Sequence, residues 1–165
     1  MNEWEQTLDA IVATRSRALL EYAFVLTRNQ AEAADLVQEA LLAAFCRLRV
    51  SNDLADVEAY VKKSILNRYL NQCRKARRWR LLRPRLVARD LQVPVEDGVA
   101  AADSLARALG VLSPMQRAAF SLRFFDDLSV AQIAATLGCS SGGASRHLAD
   151  ARQRLARELS RQEER

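Results

Sequence analysis

A stretch rich in arginine and lysine, RYLNQCRKARRWR at residues 68 to 80, also contains Asn71 and two aromatic rings, and Asn67 directly precedes it. No Asp or Glu occurs between Lys62 and Arg89, so the local charge is wholly positive. Cationic groups bind nucleic-acid phosphates, while flat rings and amides accept unstacked bases. The stretch therefore favours binding to an exposed single strand, with the candidate residues Asn67, Arg68, Asn71, Arg74, Lys75, Arg77 and Arg78.

The two aromatic residues of this stretch, Tyr69 and Trp79, have a second interpretation as core residues. Tyr69 continues the apolar stripe of Val57, Val61 and Ile65 at the same spacing of four, which favours burial over stacking on a base. The basic residues also have an alternative, because a solvated or membrane-facing helix has a similar composition.

A second constellation, LSVAQIAATLGCSSGGASRHL at residues 128 to 148, has the spacing of a helix-turn-helix. Ala134 and Ala144 are small residues that suit a helix crossing, and Gly138 between them suits the turn. The small core of this motif is predicted to contain Ile133, Leu137 and Leu148. An ordinary helical hairpin is the alternative, because Ala and Gly are common residues.

The second helix of this motif, predicted from Ser141 to Leu159, would reach base edges mainly from its N-terminal turns. Arg146 is the first long side chain there, and its planar fork fits two acceptors on a guanine, with contact to a phosphate as the alternative. Arg152 and Arg154 are further along and are expected to meet phosphate or solvent. The candidate DNA-binding residues of this helix are Ser141, Ser145, Arg146 and His147.

The elements that must position these residues are helices, because apolar residues recur at spacings of three and four and no run alternates like a strand. Asn29 is a predicted N-cap, and capping boxes predict further helix starts near Pro114 and Val130. The helix after Asn29 has an apolar stripe of Val37, Leu41, Ala44, Phe45 and Leu48.

The helical pattern is interrupted most clearly in the middle of the chain, by Pro84, Pro94 and Gly98. We therefore predict an all-α chain of two small helical domains, residues 1–83 and 101–165, joined by a flexible linker at residues 84–100.

The composition excludes several classes of protein. The formal net charge of +5 and a pI near 9.6 favour nucleic acid or an anionic membrane surface as the partner. Cys46, Cys73 and Cys139 form no C-x-x-C pair and His147 is the only histidine, so no disulfide framework, metal site or cofactor is predicted. Acids at the start argue against a secretory signal, and no segment is apolar enough to span a membrane. We expect a cytoplasmic protein that is not an enzyme, because no nucleophile has a base partner at motif spacing.

Three blocks of sequence, in order, carry a resemblance to a known family: LLEYAFVLTRNQAEAADLVQEALLAAF, VEAYVKKSILNRYLNQCRKARR and LSPMQRAAFSLRFFDDLSVAQIAATLGCS. Over nearly its whole length the chain resembles an extracytoplasmic-function type sigma factor of the sigma-70 family. The resemblance implies that the first block contacts core RNA polymerase, the second melts and reads the minus-ten element of a promoter, and the third reads the minus-thirty-five element.

The first block implies a polymerase-binding site at its DLVQE segment, with the residues Asp35, Leu36, Gln38 and Glu39. Asp35, Gln38 and Glu39 fall at i, i+3 and i+4 and therefore share a helix face, whereas the helical pattern turns Leu36 inward. Without the resemblance, an acidic face of this kind would be a solvated surface.

The resemblance also implies that a flipped base is received near Asn67 and that an anti-sigma factor binds the chain. It further implies that the linker runs through the RNA channel of the polymerase, so we expect residues 90 to 100 to be extended and poorly structured. Where the family has an acid and then a base, this chain has Asn71 and Gln72, and its recognition helix is weakly basic. We therefore expect weak binding to promoter duplex until core polymerase is present. The alternatives are a helix-turn-helix regulator that acts without polymerase, and a helical adaptor that binds only proteins.

Overall fold

The computed structural model describes residues 3–47, 53–82 and 100–164, and every regular element in these ranges is an α-helix. The chain divides into two compact units, Met1–Asp90 (unit 1) and Leu91–Arg165 (unit 2). The prediction of an all-α chain with two helical bodies is confirmed. Most of the predicted linker, with Asp90, Glu96 and Asp97, lies outside the described residues, so its extended conformation stays a prediction.

The described residues of unit 1 form three helices: α1 (Glu3–Thr27), α2 (Gln30–Arg47) and α3 (Leu54–Leu82). Each helix packs against the other two, because each has an apolar stripe. The largest side chains that these stripes bury completely are Ile11, Leu19, Tyr22, Leu26, Leu36, Val61, Ile65 and Leu66. The unit is therefore a three-helix bundle whose solvent-facing sides are left for binding.

The ends of α2 and α3 are fixed by side-chain caps. Asn29 Oδ1 accepts a hydrogen bond from the Glu32 N–H at 3.0 Å, which confirms the predicted N-cap of α2. Asp53 Oδ1 accepts one from the Ala55 N–H at 2.9 Å at the start of α3. Arg28, just before the cap of α2, has a φ of 58°, so the chain turns sharply between α1 and α2.

In unit 2, residues 100–164 form four helices: α4 (Ala100–Gly110), α5 (Pro114–Phe124), α6 (Val130–Leu137) and α7 (Ser141–Glu163). Both predicted capping boxes are present, with Ser113 paired to Gln116 and Ser129 paired to Gln132. Each box satisfies backbone donors that a helix leaves unpaired at its start, so the starts of α5 and α6 are set locally.

The turn between α4 and α5 is fixed by a buried arginine. The Arg117 guanidinium donates to the carbonyl oxygens of Leu109 at 3.4 Å and Leu112 at 3.3 Å. These carbonyls lie at and just beyond the end of α4, where helix acceptors need a partner. Arg117 therefore joins α4 to α5 from the interior of unit 2.

Candidate nucleic-acid and polymerase interfaces

The basic stretch forms the exposed second half of α3. Asn67, Asn71, Arg74 and Arg78 are all exposed, and their spacing of four, three and four residues places them on one face. Arg74 Nη1 donates to Asn71 Oδ1 at 3.1 Å, so a cation and an amide are held together there. The flanking positions on either side of this face carry the remaining cations, Arg68, Lys75 and Arg77. We call this face, with its flanking cations, the amide–arginine face.

The two aromatic residues of the stretch have different environments. Tyr69 is 5% exposed and belongs to the core, so its interpretation as a core residue is correct. Trp79 is 59% exposed at the end of α3, so a core position is wrong for it. The helix has already passed the end of the bundle at Trp79, because Leu81 and Leu82 beyond it are exposed as well. Of the two rings, Trp79 is therefore the one on the surface.

Lys63 also lies on the amide–arginine face, one turn before Asn67, and its side chain is exposed. It was not among the residues predicted from the sequence, because it lies before the dense basic stretch. Its spacing of four from Asn67 was the available signal. Its neighbour Lys62 is different, since its ammonium lies 3.6 Å from Glu58 Oε1 and 5.9 Å from the centroid of the Tyr22 ring.

The DLVQE segment lies in the middle of α2. Asp35, Gln38 and Glu39 are exposed, as their spacing predicts. Leu36 is only 1% exposed, so it is a core residue and cannot be a surface contact for polymerase in this structure. The reason is its helical position, since it turns towards α1 and α3 with Val37.

Two apolar side chains extend the Asp35–Gln38 side of α2. Leu42 is 58% exposed, and Phe45, which was predicted to lie in the inward stripe, is 43% exposed. Both follow Gln38 at helical spacings of four and seven. The candidate polymerase face therefore changes from polar and acidic at Asp35 to apolar at Phe45.

Glu39 on α2 contacts the amide–arginine face of α3. Its Oε2 atom is 2.8 Å from Nη1 of Arg68 on α3, and Arg68 Nε also donates to Ser64 Oγ at 3.4 Å. The structure thus brings together two residues that the sequence analysis assigned to different partners.

The helix-turn-helix of unit 2 is formed by α6 and α7. Gly138 ends α6 in the left-handed conformation, with a φ of 67°, where a Cβ atom would be unfavourable. Ala134 and Ala144 are buried where α6 and α7 pack together, as their small size suggested. Ile133 and Leu137 are buried as well, whereas Leu148 is only half-buried.

The N-terminal turns of α7 present the predicted DNA-binding residues. Ser140 is the N-cap, and its Oγ atom accepts from the Gly143 N–H at 3.0 Å. Ser141, Ser145 and Arg146 are exposed, and His147 is half-buried. Arg146 is therefore accessible, as the first long side chain of this helix must be if it is to reach a base.

Comparison with known proteins identifies both units. Residues 11–79 match the family model Sigma-70 region 2, and residues 102–155 match the model Sigma-70, region 4. The RNA polymerase sigma-E factor of Streptomyces coelicolor is 31% identical over 153 residues, which cover 90% of this chain and 83% of that protein. The sigma-E factor of Streptomyces antibioticus is 32% identical over 157 residues, with coverages of 92% and 83%.

A solved structure gives the same result. The sigma factor RpoE from Bartonella quintana, crystallised in complex with the anti-sigma factor NepR, matches with a TM-score of 0.65. The match has 26% sequence identity and covers 97% of this chain and 98% of RpoE. Because the two family regions occur in this order and the relatives align over most of their length, the chain belongs to the extracytoplasmic-function type of the sigma-70 family of RNA polymerase sigma factors.

Proposed function

We propose that this chain binds core RNA polymerase, directs it to promoters and assists the opening of the duplex. The observation that carries this proposal is that one chain holds two surfaces suited to nucleic acid, one on each unit. The amide–arginine face suits an unpaired strand, and the helix-turn-helix suits a major groove. A regulator that only binds duplex has no use for the first of these surfaces.

We assign the two promoter elements to the two units. Unit 1 would melt and read the minus-ten element, with Asn67 as the base reader, because a side-chain amide both donates and accepts hydrogen bonds. The cations of the amide–arginine face would follow the phosphates. Unit 2 would read the minus-thirty-five element through the first turns of α7, with Arg146 as the residue that contacts a base edge.

We assign polymerase binding to the exposed side of α2, through Asp35, Gln38 and Glu39. Leu42 and Phe45 are added to this surface, because exposed apolar side chains beside charged ones are typical of a protein interface. We also infer that the chain is cytoplasmic, because its proposed partner, core polymerase, works there. An anti-sigma factor is a further proposed partner, on the model of RpoE and NepR.

Footprinting on promoter DNA, with and without core polymerase, tests this function. The free chain should give weak protection that is lost as salt rises, and core polymerase should convert it into specific protection over both elements. Tight, specific protection by the free chain would instead support a regulator that acts without polymerase. Binding of polymerase without any DNA protection would support a protein-binding adaptor.

A further inference from the structure

Glu39 and Arg68 belong to the two candidate surfaces of unit 1, and they bind each other. The contact joins α2 to α3 at 2.8 Å, and Ser64 holds the same guanidinium through Nε. Both side chains remain accessible, with exposures of 52% for Glu39 and 38% for Arg68. A partner can therefore reach either member of the pair from solvent.

While the ion pair is intact, it weakens the binding of a ligand to either of its two residues. A phosphate that approaches Arg68 also approaches the Glu39 carboxylate, and the two negative charges repel each other. A polymerase cation that approaches Glu39 meets the positive charge of Arg68 in the same way. Each ligand is therefore disfavoured by the residue that the other ligand would occupy.

We propose that the Glu39–Arg68 ion pair couples polymerase binding to strand binding. This inference rests on the proposed function, and it assigns to that function a source of cooperativity within unit 1. Polymerase that engages Glu39 releases Arg68 for the strand, and a strand bound at Arg68 releases Glu39 for polymerase. The two effects are equal in size, because coupling between two binding sites is reciprocal.

The coupling is modest, because both partners are exposed. An exposed ion pair contributes little free energy, so breaking it should change the affinity for either ligand by only roughly 1.5- to 5-fold. It therefore adjusts the order of binding events and does not by itself prevent the free chain from binding DNA.

The test uses the full chain as four variants: the parent, Glu39→Gln, Arg68→Gln and the double variant. Each is titrated with a labelled single-stranded oligonucleotide of mixed sequence, and separately with core polymerase. Glu39→Gln should bind the oligonucleotide about 1.5- to 5-fold more tightly than the parent, and this gain should vanish when Arg68 is also replaced. Arg68→Gln should raise polymerase affinity by a similar factor, but only while Glu39 is present.

Glu32→Gln is the matched control, because Glu32 is an exposed acid on the same helix and its replacement changes the net charge equally. An equal gain from Glu32→Gln and Glu39→Gln would show a general charge effect and overturn the coupling. Weaker oligonucleotide binding by Glu39→Gln would also overturn it, since Glu39 would then be positioning Arg68 for the strand. If the parent chain binds no core polymerase, the proposed function itself fails. If polymerase binds and the two substitutions act additively in both titrations, only the coupling fails.

Discussion

The guanidinium of Arg154 donates a hydrogen bond to the carbonyl oxygen of Val111 at 3.1 Å. This contact joins the middle of α7 to the turn between α4 and α5, 43 positions earlier in the chain. Its position on α7 predicted contact with phosphate or solvent, whereas in the structure Arg154 binds a backbone carbonyl. Arg154 helps to hold the recognition helix in place within unit 2.

Replacement of Arg154 by Ala should destabilise unit 2 by about 0.5–1 kcal/mol, because the hydrogen bond between the two elements is lost. Arg152→Ala is the control, since Arg152 is also exposed on α7 and carries the same charge. Both tryptophans, Trp4 and Trp79, belong to unit 1, so tryptophan fluorescence does not report on unit 2. Amide hydrogen exchange of α7 is the suitable measurement, and equal protection in the two variants would contradict the structural role of Arg154.

Lys63 should contact a phosphate, although it lies before the dense basic stretch. Lys63→Gln should reduce the slope of log affinity against log salt for single-stranded DNA by about 0.7, the value for one lost phosphate contact. Its neighbour gives a matched control, because Lys62 is directed to Glu58 and to the ring of Tyr22. Lys62→Gln should lower the thermal stability of unit 1 and leave the salt slope unchanged. Equal slopes for parent and Lys63→Gln would remove Lys63 from the strand-binding surface.

Arg146 should read one base pair of the minus-thirty-five element. Arg146→Ala should weaken promoter binding by the holoenzyme and flatten its preference at that pair by about 1–3 kcal/mol, because a bidentate contact to guanine is lost. Arg146→Lys should restore binding only in part, since an ammonium cannot form the planar fork. A panel of single-base promoter variants provides the measurement. A uniform loss across the panel with unchanged ranking would assign Arg146 to the phosphate backbone.

Gly142 occupies a position where the fold does not require glycine. A Cβ atom there would have only Ser140 Oγ near it, at 4.0 Å, and Gly142 does not have a positive φ. Gly142→Ala should therefore stabilise α7, by up to about 1 kcal/mol, since Ala is the better helix former. If the helix backbone approaches the groove closely, the same methyl group should weaken binding to the minus-thirty-five element.

Gly143 provides the comparison for this experiment. A Cβ atom at Gly143 would lie 3.2 Å from Ser140 Oγ, the atom that caps α7, so Gly143→Ala should perturb the cap as well as the DNA contact. Amide hydrogen exchange measures the stability of α7 in each variant. Binding of promoter DNA by the holoenzyme measures the DNA contact separately. Unchanged promoter binding by Gly142→Ala would show that close approach of this backbone is not needed.

Local sequence signals predicted the parts of the fold that depend on neighbouring residues. The capping boxes at Ser113 and Ser129, the N-cap at Asn29 and the turn at Gly138 all concern hydrogen bonds or dihedral angles within a few positions. These features follow from residue type and spacing alone.

Features that depend on where a helix leaves the bundle were not predictable in this way. Trp79 lies where α3 has passed the end of the bundle, whereas Phe45 is exposed although its neighbour Ala44 is buried, so the exposure of both depends on tertiary structure. The Glu39–Arg68 pair spans 29 positions and the Arg154–Val111 hydrogen bond spans 43, and no local pattern predicts either contact. The candidate site was therefore predicted as a set of residues, whereas the contacts among its members required the structure.

The role of the chain in promoter recognition is tested most directly by transcription in a purified system, with core RNA polymerase, this chain and a library of genomic DNA fragments. We predict transcripts that depend on the chain and start at a fixed distance from two shared sequence elements. We further predict that Asn67→Ala changes base preference at the minus-ten element while polymerase association is retained. Transcript start sites that are the same with and without the chain, although it is folded and bound to core polymerase, would contradict the central claim.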